Sequence, residues 1–166
     1  MLAPAILYRE EIIRKFLEYN YSDDMLFYTG WIGSSLPSIE ADCDGSHFQY
    51  AIVDNEKLIG YFDYQVNWYS SCANCFGLFS FERNNKIIGF DVYREIKKLI
   101  NQYRLHRIEW RMIGGNPVER HYDNFCRKYN GKKFIFTDTL KDKCGKYHND
   151  VVYEIILDNT GGRSNE

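Results

Sequence analysis

Between residues 76 and 113 the hydrophobic period changes twice, and this constrains the fold more than any other feature of the chain. Residues 76 to 82 (FGLFSFE) read as a strand. From Asp91 to Tyr103 the residues Val92, Ile96, Leu99 and Tyr103 fall on one helical stripe. Residues 107 to 113 (RIEWRMI) then alternate Ile108, Trp110 and Met112 with Glu109 and Arg111, the period of a strand with one apolar face. A helix between two strands of one sheet makes a right-handed crossover, so one pairing must be locally parallel. Upstream, 48 to 53 (FQYAIV), the turn Asp54, Asn55 and Glu56, and 57 to 68 (KLIGYFDYQVNW) predict an antiparallel hairpin. Tyr69 to Asn74 can turn the chain into the strand at 76, or Gly60 can mark a bulge.

The flanks supply the covering layers. Ile12, Ile13, Phe16 and Leu17 recur at helical spacing between Tyr8 and Tyr19, opposite a charged face. A second short helix is expected from a cap at Ser22 through Met25, Leu26 and Phe27 to Gly30, then a loop from Gly33 to Ser46. After Gly114 and Gly115, Asn116 can cap a helix that begins at Pro117 and runs through Val118, Tyr122, Phe125 and Tyr129 to Gly131. Residues 133 to 139 and 150 to 157 close the sheet around a loop from Lys141 to Asn149. The expectation is an α/β fold, a mixed and mostly antiparallel sheet flanked by helices. It is expected as one domain over residues 1–158, with a disordered tail at 159–166. A chain of 166 residues can bury roughly 70% of its unfolded surface in a single core.

A formal charge of −2 gives no basic field for nucleic acid or acidic lipid. The N-terminus lacks a basic region followed by a sustained apolar one, and no apolar run reaches ~18 residues. The expected location is the cytoplasm, with no nucleic-acid or membrane partner. The five cysteines are scattered, and reduced thiols are expected. Cys72 and Cys75 alone have the spacing of a zinc knuckle or redox pair, without a second pair to complete four ligands, so no metal is expected.

Ligands of parallel units bind beyond the carboxyl ends of strands, where helix N-termini present unpaired N–H groups. Two such junctions are expected, at Glu82 to Gly89 and at Gly114 to Asn116. The first carries turn formers and Lys86 before the helix, which suits an anion cradle. The order of elements, the segment GGNPVERHYDNFCRKYNGKK and the following KDKCGKYHNDVVYEIIL together resemble the GCN5-related N-acetyltransferases over residues 48 to 157. Asn116, Tyr122, Gly131 and the run from Gly145 to His148 carry the likeness.

The resemblance implies acetyl-CoA as co-substrate and an acetyl or short acyl group passed to a primary amine by direct attack in a ternary complex. It implies that pantetheine inserts where the fourth strand splays from the fifth, on backbone near Phe79 and Phe81, and that pyrophosphate sits on Asn84, Asn85, Lys86, Ile87, Ile88 and Gly89. Asn84 and Ile87 stand where the family has Arg or Gln and a first Gly, and an Ile Cβ limits close approach. Asn116 is implied as a cofactor contact and Tyr122 as the acid for the leaving thiol. Arg120, with Lys128, could meet the 3'-phosphate or lie on a solvated helix face. For a base, Glu82 could act through water or be a solvated strand end, and Asp63 and Glu109 are others on neighbouring strands. His121 and His148 read as surface or turn residues. The acceptor would be a small-molecule or peptide amine, and a homodimer is compatible. The alternative is a non-catalytic module of the same fold that binds acyl-CoA or a protein partner.

Overall fold

The computed structural model describes residues 1–20, 36–41, 45–82, 84–142 and 144–157. Among these residues seven strands form: β1 (Leu2–Pro4), β2 (His47–Asp54), β3 (Lys57–Asn67), β4 (Cys72–Ser80), β5 (Arg107–Ile113), β6 (Lys132–Lys141) and β7 (Tyr147–Ile156). Among the described residues three α-helices accompany them: α1 (Arg9–Asn20) after a 3-10 turn at Ala5–Tyr8, α2 (Lys86–Asn101) and α3 (Glu119–Lys128). The strands form one sheet in the order β1-β2-β3-β4-β5-β7-β6. Only β4 and β5, joined through α2, run parallel, as the crossover requires.

Local chemistry explains the ladders. Asn55 and Glu56 both take positive φ (46° and 66°), the backbone of a two-residue turn matched to strand twist. Two residue pairs beyond it, β3 bulges: Ile52 pairs with Gly60 but Val53 with Leu58, leaving Ile59 extra. A Cβ on Gly60 would meet the Phe79 carbonyl at 2.9 Å, so glycine lets β4 approach there. In β3 every residue from Leu58 to Tyr64 is buried, because both faces are covered. On one face α1 packs Ile12 and Phe16 against Ala51, Val53, Tyr61, Phe79 and Phe81. Phe16 lies 4.2 Å from Phe79, centroid to centroid. On the other, Ile88, Val92 and Leu99 of α2 pack on Ile52, Phe62, Tyr64, Ile108 and Trp110. Each fully buried side chain of this size contributes about 1.5–3 kcal/mol of transfer free energy.

Several boundaries differ from the expectation. Helix α2 starts at Lys86, not Asp91, because the Asn85 side chain caps it, accepting the Ile87 N–H at 3.0 Å. It ends at Asn101, before Tyr103. Strand β4 begins at Cys72, so the turn is 68–71 and both cysteines lie in the strand. Helix α3 begins at Glu119, two residues after Pro117, although Asn116 Oδ1 still accepts the Val118 N–H at 3.0 Å. Strands β6 and β7 run further than expected and shorten their loop. Strand β1 was too short to show any period. The expected helix from Ser22 to Gly30 and the tail at 159–166 lie outside the described residues. Of the loop at 33–46, the described residues form no helix or strand before Ser46. Among the described residues no helix is long and apolar enough to cross a membrane.

Candidate active site

The sheet opens at its parallel seam. Strands β4 and β5 pair only at Cys72 with Arg107 and Ala73 with Ile108, then diverge. The cause lies in β4 itself. Opposite β3, Asp63 pairs with Gly77 but Gln65 with Asn74, so Cys75 and Phe76 together oppose Tyr64. Cys75 takes the left-handed φ of 53° that such a bulge needs. The bulge sits one residue beyond the last pair with β5, at the closed end of a fork.

Backbone polarity along the fork follows from the ladder. The Phe81 N–H donates to Ile59 O at 2.9 Å, so Phe81 and, two residues earlier, Phe79 turn their backbone groups towards β3. The Phe81 carbonyl also accepts the Tyr19 hydroxyl at 2.8 Å. The groups facing β5 are therefore those of Leu78 and Ser80, with no ladder partner across the fork. The phenyl rings of Phe79 and Phe81 face the α1 core.

At the open end the expected phosphate loop is mostly the first turn of α2. Asn84 holds a left-handed φ of 59° and Asn85 is the cap. Lys86 and Gly89 are exposed, Ile87 is half-buried, and Ile88 is buried in the core. A Cβ on Gly89 would meet nothing within 4 Å. The N–H of Ile87 is already taken by Asn85. Glu82 accepts from Asn85 Nδ2 at 3.0 Å and forms an ion pair with Lys57. Lys57 first and then Asn85 hold its carboxyl below the usual carboxylate range, which makes Glu82 a weak base. Asp91, in the second turn of α2, is buried and pairs with the Met1 ammonium at 2.5 Å and Arg94 at 3.3 Å, so its charge is already met.

Beyond β5, Asn116 is buried at the turn into α3. Tyr122 packs edge-on against Trp110 and Tyr153, and burial pushes its hydroxyl up to about 12. Arg120 and His121 are exposed on α3. His148 Nε2 lies 2.8 Å from Asp142, in the turn before β7.

At the closed end charges converge on the α1 face. Asp63, only 3% exposed, has Oδ2 3.1 Å from His47 Nε2, while its Oδ1 has no hydrogen-bond partner. Burial raises the Asp63 carboxyl above its usual range, and His47, the Tyr61 hydroxyl and the Gly77 N–H offset this only in part. The Cys75 thiol is pushed up by burial and by Asp63 and Glu109, with Arg111 opposing. Glu109 is paired with Arg107, and Arg111 with Asp150. His47 carries no mark in the sequence: the Ile59 bulge shifts the hairpin by one residue and so brings its side chain to the face of Asp63. Cys72 and Cys75 are free thiols, and the described residues contain no group of three side chains suited to a metal.

No protein-family model and no curated protein sequence matches the chain. Its fold is similar to solved structures. A probable acetyltransferase aligns with a TM-score of 0.55 at 16% identity, over 68% of this chain and 63% of that one. The spermidine/spermine N-acetyltransferase SpeG from Vibrio cholerae, in complex with manganese ions, aligns with a TM-score of 0.54 at 16% identity, over 68% of this chain and 66% of that one. The chain thus spans less than two thirds of either structure. Identity this low speaks for architecture alone. The seven-stranded, mostly antiparallel sheet, its one parallel crossover and these likenesses together give the chain the fold of the GCN5-related N-acetyltransferases.

Proposed function

We propose that the chain transfers an acetyl or short acyl group from acyl-CoA to a primary amine, by direct attack within a ternary complex. The observation that carries this reading is the fork, whose β4 wall presents backbone groups at Leu78 and Ser80 without a strand partner. A pantothenyl amide arm has the donors and acceptors to complete that edge, as an added strand would. At the open end the start of α2 suits a pyrophosphate: Lys86 lies beside it, and the helix dipole favours negative charge. Asn84, Asn85, Ile87, Ile88 and Gly89 shape that end through their backbone, and Asn116 and Arg120 border the other wall. The thioester, when bound, supplies an activated acyl carbon and a thiolate leaving group. We assign Tyr122, on α3 and protonated across the working pH range, as the proton donor to that sulphur. That the similar solved structures include a spermidine/spermine N-acetyltransferase supports an amine as the acceptor class.

Isothermal titration with acetyl-CoA tests the reading. A single saturable site is expected, weakened by Lys86→Ala and lost in Gly89→Val, where open space at the Cβ position spares the fold. No heat at millimolar acetyl-CoA would overturn it. The capped Ile87 N–H favours a second reading, a non-catalytic module of the same fold. Turnover separates the two. Thiol release above the uncatalysed rate with a panel of amines, reduced in Tyr122→Phe, excludes the module.

A further inference from the structure

The carboxylate at the closed end has no charge partner suited to it. Among the described residues around the bulge, Glu109 is neutralised by Arg107, itself shared with Glu154, and Arg111 is held by Asp150. Tyr61 is hydrogen-bonded by Gln49 Nε2 at 3.0 Å and carries no charge, since burial raises its hydroxyl far above neutrality. Cys75 stays a thiol. Beyond the neutral Tyr61 hydroxyl and the Gly77 N–H, Asp63 therefore faces one group able to carry a positive charge, His47, whose ordinary pKa lies near ~6.5. An ionised carboxylate this buried, with one oxygen unmatched, costs several kcal/mol unless a cation arrives or a proton stays. Its position is informative too. Asp63 is in register with Gly77, next to the bulge that opens the fork, and shares the α1 face with Tyr61. Tyr122 is on the opposite face, against Trp110. His47 is 37% exposed, so a proton received there can leave to water.

We infer that Asp63 and His47 form the acceptor site, Asp63 binding the substrate's ammonium through its unpartnered oxygen and His47 taking the proton that the ammonium must lose. This rests on the acyl-transfer reading above. The bound ammonium gives one proton to the imidazole, leaving a neutral amine and an imidazolium beside the Asp63 carboxylate. The nitrogen lone pair then forms the N–C bond as the C–S bond breaks. The sulphur leaves with the bonding pair and takes a proton from Tyr122, and the second proton of the amide nitrogen passes through water to restore the Tyr122 hydroxyl, while the imidazolium proton leaves to solvent. Balance holds, with one proton released per amide formed.

The experiment uses n-butylamine as probe and the imidazole resonances of His47, assigned by loss in His47→Gln, in the full chain. A saturable shift of the His47 signal is expected, and Asp63→Asn should weaken it tenfold or more while leaving acetyl-CoA affinity within twofold. Asp63→Asn should also lower the His47 pKa in the free protein, a change that a packing role alone would not produce. An amine that leaves His47 unmoved at tens of millimolar, or that binds Asp63→Asn as well as the parent, overturns the proposal. Failure of acetyl-CoA to bind the parent chain overturns the acyl-transfer reading instead, and a His47 shift on amine addition would then still support an ammonium site.

Discussion

At the closed end of the fork a carboxylate is buried against a histidine; at the open end Glu82 lies between Lys57 and Asn85 near solvent. Asp63 lies in β3 and Glu82 two residues past the end of β4, and their environments push them in opposite directions: burial raises Asp63, while a lysine and an amide lower Glu82. A group that must exchange a proton near neutrality gains from the first setting and not from the second. The difference locates proton chemistry where the sheet is tightest and leaves the wide end to backbone groups and a helix terminus. Strand geometry makes the division, since the closed end is pinned by two residue pairs and the open end by none.

The strongest way to break this contrast is to loosen the pinned end. Ile108, fully buried, is the β5 member of the last β4–β5 pair. Ile108→Ala is expected to cost about 2–5 kcal/mol in urea unfolding. A loss under ~1 kcal/mol would mean the closed end is not packed as described. Next comes Asp63→Asn, with the opposite sign. The folded pKa of Asp63 lies above its unfolded value, so the native state holds this proton more tightly than the unfolded chain. The parent therefore loses stability as pH climbs from the ordinary aspartate range through the raised folded value. Asp63→Asn should flatten that part of the urea midpoint profile and leave the variant more stable than the parent at pH 7. A parallel pair of profiles would show that His47 fully compensates the charge.

At the open end effects should be smaller. Asn85→Ala removes the cap of α2 and should cost about 1 kcal/mol by thermal melting. Because it frees the Ile87 N–H, acetyl-CoA affinity should hold or improve. A loss beyond tenfold would make the Asn85 side chain itself a ligand. Least of all, Glu82→Gln should leave both the unfolding midpoint and the pH profile of turnover unchanged, its ion pair being with an exposed lysine. A lost limb in that profile would restore Glu82 as the base.

The crossover and the meander were readable because each rests on a period sustained over several residues, as in Val92, Ile96 and Leu99, or Ile108, Trp110 and Met112. What stayed hidden depends on single residues that break a period. The extra residue at Ile59 decides which side chains of β2 share a face with Asp63. An unbroken ladder from the Asn55–Glu56 turn would set Asp63 opposite Phe48, where the structure has Gln49. The left-handed Cys75 is equally silent, since no glycine advertises it. Nor could a pattern foresee that Asn85 would start α2 five residues early and turn much of an expected loop into helix. As site candidates Asn116 and Tyr122 rest on family likeness alone, for their spacing and their contacts fit a cap and a packed helix face.

With only two residue pairs across the parallel seam, the sheet is in effect two leaves, β1 to β4 and β5 to β7, held together by those pairs and by one shared core to which α2 contributes. Breathing of such a molecule should concentrate at that seam, so amides of β5 near the fork should exchange with solvent sooner than those of β3, which is covered on both faces. A ligand seated between the leaves would stitch them, raising apparent stability by about 2.7 kcal/mol at a hundred times its Kd. The gap that receives the ligand is thus also the place where the folded chain has most stability still to gain.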